Sequence, residues 1–230
     1  VEWQSFLLEL NGTVNHFKFA DPDALTNTGT YSTGHLTSEL RTNSSSVTLS
    51  FSGSTITAGA STFGSAKVGD FIVVTGATNE DNNGTHKITT VTSATVVVTT
   101  STFTTESNTA SCKVRTNVKG ATGLSLLAST NAASGTIKKG DYLQIQSAAN
   151  TTATPTQLVM VTEDATATAD GAKDFYGVAI QPKLRSDLAT GHYAVFTNPK
   201  GTFRLISNEV SWSADRISNY GISFSCIEVI

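Results

Sequence analysis

The sequence predicts an all-β protein: a β-sandwich or barrel host with one short N-terminal helix and an inserted small β-barrel or sandwich. Three observations lead there. Charged residues make up only 14% of the 230-residue chain, and Ser and Thr, which suit turns and pleated surfaces, take their place. The apolar runs are short, β-branched or aromatic, and bounded by Gly, Asp, Asn or Pro. A helical period occurs once, at the N-terminus.

In that first stretch Trp3, Phe6, Leu7 and Leu10 fall at i, i+3, i+4 and i+7, an apolar helical stripe. Asn11-Gly12 follows as its stop, because both residues tolerate the left-handed conformation. No N-capping residue and no initiator Met precede the stripe, which predicts further residues before Val1. From Val14 to Phe19 the period drops to two, and the expected strand ends at Asp21-Pro22. The polar, Gly-dotted segment from Asp23 to Ser46 reads as a long excursion with at most one short strand.

Residues 44–117 read as a unit of their own, inserted into a host formed by 1–43 and 118–230. About six strands are expected in it, among them Val47 to Phe51, Phe71 to Val74, Lys87 to Val91, Thr95 to Thr99 and Ser111 to Arg115. Asn83-Gly84 is expected to be a hairpin turn with positive φ at both positions. In the host, Leu124 to Leu127, Tyr142 to Ile145, Gln157 to Val161 and Phe175 to Ile180 read as strands, the last three as a meander. Tyr193 to Phe196, Thr202 to Leu205 and Ile222 to Val229 complete the set, and Glu209 to Ser213 reads as a strand anchored by Trp212. Val68-Gly69-Asp70-Phe71-Ile72 echoes Lys139-Gly140-Asp141-Tyr142-Leu143. Each is expected to be a tight turn with a local Asp side-chain hydrogen bond, by convergence rather than duplication.

Chemistry is sparse. Glu163, Asp164 and Asp170 share one polar loop without the ligand spacing of a calcium loop, and Glu80-Asp81 reads as a loop tip. His16, His35, His86 and His192 have no Cys or carboxylate at ligand spacing, so no metal site is expected. No nucleophile elbow, zinc-protease or phosphate-loop motif occurs, so neither catalysis nor a cofactor is expected. Net charge is -3, and the largest basic grouping, Lys183, Arg185, Lys200 and Arg204, reads as a solvated strand face, not a nucleic-acid site. No run of 18 apolar residues exists, so no membrane span is expected. Cys226 is expected to be buried with Ile222 and Phe224 on one strand face, and a Cys112–Cys226 disulfide is left open. The sequons at Asn11, Asn43, Asn83 and Asn150 are expected by chance in so Ser/Thr-rich a chain.

Four stretches carry a resemblance. They are Trp3-Gln4-Ser5-Phe6-Leu7-Leu8-Glu9-Leu10-Asn11-Gly12 with Phe17 and Phe19; Gly140-Asp141-Tyr142 with Val159-Met160-Val161; Gln181-Pro182-Lys183-Leu184-Arg185; and Phe203 to Trp212 through Cys226-Ile227-Glu228. Together, over 1–43 and 118–230, they resemble the distal tail or tail-adaptor proteins of tailed bacteriophages; 44–117 is the departure. The resemblance implies a non-enzymatic virion subunit of the tail tip or baseplate. Its partners would be copies of itself in a ring, usually six-fold, the tail tube protein and the tail hub. Trp3, Phe6 and Leu10 on the helix, with Ile222, Phe224 and Ile227 on the closing strand, are the expected core or subunit contacts. Two other readings share the composition. One is a different virion β protein (capsid decoration, connector or fibre module); the other is a glycan-binding receptor module with an aromatic platform drawn from Tyr31, Phe63 and Phe103.

Overall fold

The computed structural model describes residues 2–31, 35–128, 135–146, 155–168, 174–208, 211–214 and 220–229. Among the described residues the chain is all-β apart from one α-helix and one 3-10 turn. Its centre is a closed barrel of six antiparallel strands: β2 (His35–Ser38), β7 (Gly123–Ala128), β9 (Tyr142–Gln146), β10 (Pro155–Val161), β12 (Phe175–Gln181) and β13 (Tyr193–Val195). Around the barrel the order is β10, β12, β7, β2, β13, β9. The expected meander is present, since β10 pairs with both β9 and β12.

Alternation fills the barrel. Leu124 and Leu126, Leu143 and Ile145, and Val159 and Val161 stand two apart and are buried in one core. On β12 that rhythm breaks: Phe175 and Val178, three apart, are both buried. The pairing with β7 slips between Tyr176 and Val178, and Gly177 between them takes φ +81°. This is a bulge that returns Val178 to the inside.

Residues 43–115 form a four-stranded sheet of β3 (Asn43–Ala58), β4 (Phe71–Thr75), β5 (Gly84–Ser93) and β6 (Val96–Arg115), with a core of their own. Four strands stand where about six were expected. The two short runs at Thr95 to Thr99 and Ser111 to Arg115 are the ends of one long strand, β6. Its first part pairs with β5, its last part with β4, and β3 runs along its length. Irregularities in pairing replace the expected turns. On β3, Val47, Leu49 and Phe51 face the core at odd positions and Ile56 and Ala58 at even ones, and the switch surrounds Gly53, at φ +56°. The sheet leaves and rejoins the rest of the chain side by side: Asn43 pairs with Arg115, and Thr116 N–H donates to the Thr42 carbonyl at 2.8 Å.

Asn83-Gly84 is not the expected two-residue hairpin turn. Residues 76–83 connect β4 to β5 through a 3-10 turn, Glu80–Asn82; of the pair, Asn83 is extended (φ -83°) and Gly84 alone has positive φ. Asn83 is held by its side chain, which accepts from Ala77 N–H and donates to the Ala77 carbonyl.

The remaining layer joins both ends of the chain. Helix α1 (Glu2–Glu9) packs on a three-stranded sheet ordered β1 (Phe17–Phe19), β14 (Gly201–Leu205), β17 (Cys226–Glu228). Two two-stranded sheets complete the described elements: β8 (Thr136–Ile137) with β11 (Ala165–Thr166), and β15 (Ser211–Ala214) with β16 (Tyr220–Ser223).

Candidate assembly surface

The terminal layer is where the expected contact residues fall. α1 ends as expected: Asn11 (φ 50°) and Gly12 (φ 65°) are both left-handed. Asn15 then completes the cap, its side-chain amide donating to the Glu9 carbonyl at 2.9 Å and its N–H to the Leu10 carbonyl at 3.0 Å. The strand therefore starts at Phe17 and not at Val14, because Asn15 is spent on the helix. Asn208, far along the chain, accepts from Thr13 N–H at 2.9 Å and ties the cap to the carboxyl-terminal part.

Leu7, Leu10, Phe17 and Leu205 form a buried cluster, with Phe6, Phe203 and Phe224 packed against it. Phe17 is its hub: the Phe6 ring meets it edge-on at 5.5 Å, the Phe224 ring at 6.3 Å, and the Phe203 ring lies 6.2 Å away. Of the six expected contact residues, Phe6, Leu10 and Phe224 are thus gathered into one core. Ile227 is not; it is half exposed on β17, opposite Arg204. The side chains of Trp3 and Ile222 lie outside the described residues.

The closing strand differs from expectation. Ile222 to Val229 is two strands, β16 and β17, broken at Phe224-Ser225 where Phe224 turns in toward Phe17. Cys226 is accordingly exposed, not buried on a shared face with Ile222 and Phe224. Cys112 is buried in the 43–115 core, and both cysteines are free thiols. Burial raises both thiol pKa values, and Glu106 adds to the effect at Cys112.

A hook fastens this layer to the barrel. Glu228 of β17 accepts from Leu158 N–H of β10 at 2.5 Å and pairs with Arg185, whose own N–H donates to Gln157 Oε1 at 3.0 Å. Arg185, expected on a solvated basic face, is therefore an anchor. Three of the four stretches that carried the family resemblance meet here: the helix and its Phe-Lys-Phe strand, the Pro-Lys-Leu-Arg segment, and the Phe203 and Cys226–Glu228 strands. Of the fourth, Gly140-Asp141 forms the expected turn elsewhere on the barrel, while Val159-Met160-Val161 continues β10 beyond Leu158.

Leu8, Val14, Phe19, Ile206 and Ile227, five of the eight exposed large hydrophobic residues described, lie on this layer and its adjoining turns, with Phe19 on the sheet face of Phe17 and Phe203 and Ile227 on the opposite face beside Arg204. Among the described residues no strand pairs with the outer edge of β1 or of β17. Several other candidate groups have partners. Glu163 pairs with Lys87, Asp164 with Lys138, and His35 stacks on Tyr193. His86 is buried between Ser101 Oγ and the Asn82 carbonyl, and burial lowers its pKa. Asp170 lies outside the described residues. Tyr31, Phe63 and Phe103 are all buried in the two large cores, so they form no exposed aromatic platform. Among the described residues no group of three or more His, Cys, Asp or Glu is placed to hold a metal, and no helix is long and apolar enough to cross a membrane.

Comparison with protein-family models, with curated proteins and with solved structures returns no match for the chain.

Proposed function

We propose that the chain is a structural subunit of a tailed-phage virion, forming a closed ring at the tail tip that connects the tail tube to the baseplate hub. The observation that carries this reading is the terminal layer itself. It gathers most of the family-like stretches, leaves two sheet edges open, and exposes five large apolar side chains. Open edges and apolar surface are costly in a solitary β protein, and symmetric self-association relieves both. The partners in this reading are copies of the same chain, the tail tube protein and the tail hub, and residues 44–117 decorate the ring.

Light scattering with negative-stain imaging of the purified protein tests it. The expected result is a closed ring, six-fold, with a central channel. Ile227→Lys and Leu8→Lys, both at exposed positions, are expected to leave a folded monomer. Phe224→Asp is expected to disrupt the terminal core and the ring together. A wild-type protein that stays monomeric alone and in the presence of tail tubes would overturn the proposal.

A further inference from the structure

Where the 43–115 sheet meets the barrel, one guanidinium faces three carboxylates. Arg41 Nη1 lies 2.9 Å from Glu39 Oε2, Nε 3.5 Å from Asp70 Oδ1, and Nη2 3.5 Å from Asp174 Oδ2. The arginine side chain is 5% exposed, and those of Asp70 and Asp174 are 0% and 7%. Tyr176 covers the guanidinium at 4.3 Å. Ser125 Oγ donates to Asp70 Oδ1 at 2.6 Å, and Lys67 N–H donates to Asp70 Oδ2 at 2.9 Å. Arg41 Nε and Nη2 have no hydrogen-bond partner, so charge alone holds them in place.

These groups come from separate parts of the fold. Glu39 and Arg41 lie on the link from β2 to β3, and Asp70 lies on the turn entering β4. Ser125 is on β7, with Asp174 and Tyr176 at the start of β12. Lys67 belongs to the Asp70 turn itself. Lys87 of β5 stands over the neighbouring Phe71 ring and is paired with Glu163. With every carboxylate ionised, Arg41 faces two buried carboxylates, Asp70 and Asp174, and a third, Glu39, whose side chain is 32% exposed. An excess charge removed from water is costly unless a proton neutralises it.

We propose that this cluster is an acid-favoured latch: a proton taken up at Asp70 tightens the sheet on the barrel, and loss of that proton at higher pH loosens the contact. Asp70 is the group best placed to carry the proton. Burial pushes its carboxyl above the ordinary aspartate range. The Ser125 and Lys67 hydrogen bonds and the Arg41 charge pull it back, and Glu39 pushes it up again. A carboxyl with a raised pKa in the native state binds its proton more firmly there than in the unfolded chain. Its contribution to stability is therefore greatest below the ordinary aspartate value of 3.8 and is lost as pH rises from there through the raised native value.

Hydrogen exchange of the full chain, read by mass spectrometry at about pH 4 and about pH 8 and corrected for the intrinsic pH dependence, tests the latch. Protection of peptides covering 69–75, 123–127 and 175–181 is expected to fall several-fold at the higher pH, with 201–205 unchanged as the control. Asp70→Asn is expected to abolish that difference. Equal protection of the wild type at both pH values, or an undiminished difference in Asp70→Asn, would overturn the proposal. If Asp70→Asn fails to fold, Glu39→Gln, at the more exposed rim, takes its place: a reduced pH difference supports the latch and an unchanged one sinks it.

Discussion

Gly69 and Gly177 meet backbone to backbone, which is how the 43–115 sheet is seated on the barrel. A Cβ on Gly177 would stand 1.7 Å from the Gly69 carbonyl oxygen, and one on Gly69 would stand 2.6 Å from the Tyr176 carbonyl oxygen. Both residues have positive φ, +99° and +81° respectively. The contact uses the turn entering β4 on one side and the β12 bulge on the other. Gly123 belongs to the same seam, since a Cβ there would strike the Phe71 ring at 2.1 Å. The glycines permit a backbone approach that no other residue allows.

Alanine at Gly69 or Gly177 is expected to destabilise the protein by about 2–5 kcal/mol, combining left-handed strain with overpacking. Gly140 occupies the equivalent place in the second turn, at φ +94°, but nothing lies within 4 Å of its Cβ position. Gly140→Ala is expected to cost only the strain, about 1–2 kcal/mol. Urea denaturation of the three variants checks the ranking; equal losses at all three would refute the close approach.

The two turns share a complete hydrogen-bond set, and this makes Asp141 a second test. In each, the Asp N–H donates to the Lys carbonyl three residues back, at 3.1 Å for both Asp70 to Lys67 and Asp141 to Lys138. The Gly and Asp backbones bond Ile88 in one case and Val161 in the other. The carboxylate's second oxygen then clamps a remote segment. For Asp141 that segment is Thr28, which donates from N–H at 2.7 Å and from Oγ1 at 2.8 Å. Asp141→Ala orphans those donors and Lys138 N–H, and is expected to cost about 2–3 kcal/mol. Thr28→Ala removes one bond and is expected to cost about 1 kcal/mol. A double-mutant cycle by thermal or urea unfolding should show coupling between the two residues.

The cysteines predict a simple chemical count. One thiol, Cys226, is expected to react with an aromatic disulfide reagent in the native protein, slowly near neutral pH because its pKa is raised. Cys112, buried and with its Sγ–H 3.3 Å from the Gly76 carbonyl, should react only after unfolding. Two fast native thiols would mean that the 43–115 core is open.

Glu106 sets the acid limb of stability for the β4–β5 connection. Desolvation opposes its ionisation. Hydrogen bonds from Thr109, from Asn79 and Thr78 N–H and from the Asn82 amide outweigh that effect and bring the pKa to about 2. A carboxylate held below its ordinary 4.5 stabilises the fold fully above that value, and the contribution disappears as pH falls toward 2. Glu106→Gln is expected to lower stability at neutral pH and to flatten its decline between about pH 4.5 and 2. Urea midpoints across that range give the measurement, and parallel curves for variant and wild type would contradict it.

Much of this architecture was legible in local pattern. Period-two runs located nearly all of the barrel strands, the helical stripe located α1, and the two Gly-Asp pairs located matching turns. Each of these follows from side-chain alternation or from a residue's own backbone preference, and both act over a few neighbours. Pattern failed where long-range pairing overrode local propensity. The strand expected over Val47 to Phe51 runs on past Gly53, which irregular pairing absorbs inside a sixteen-residue strand. Asn83-Gly84 reads as a hairpin, and Asn83 is instead bound to Ala77.

What the sequence determined by itself is the all-β class, the alternation of buried and exposed positions in β7, β9 and β10, and the helix with its stop. Tertiary structure alone decided which strands close the barrel, that β6 serves β3, β4 and β5, and that Glu228 hooks Arg185 and Leu158. It also assembled the Glu39, Arg41, Asp70 and Asp174 cluster from segments up to 135 positions apart, counted from Glu39 to Asp174. Alternation specifies which face of a strand seeks burial but not which partner supplies it. A charge or a glycine reveals its role only once another backbone has been brought against it.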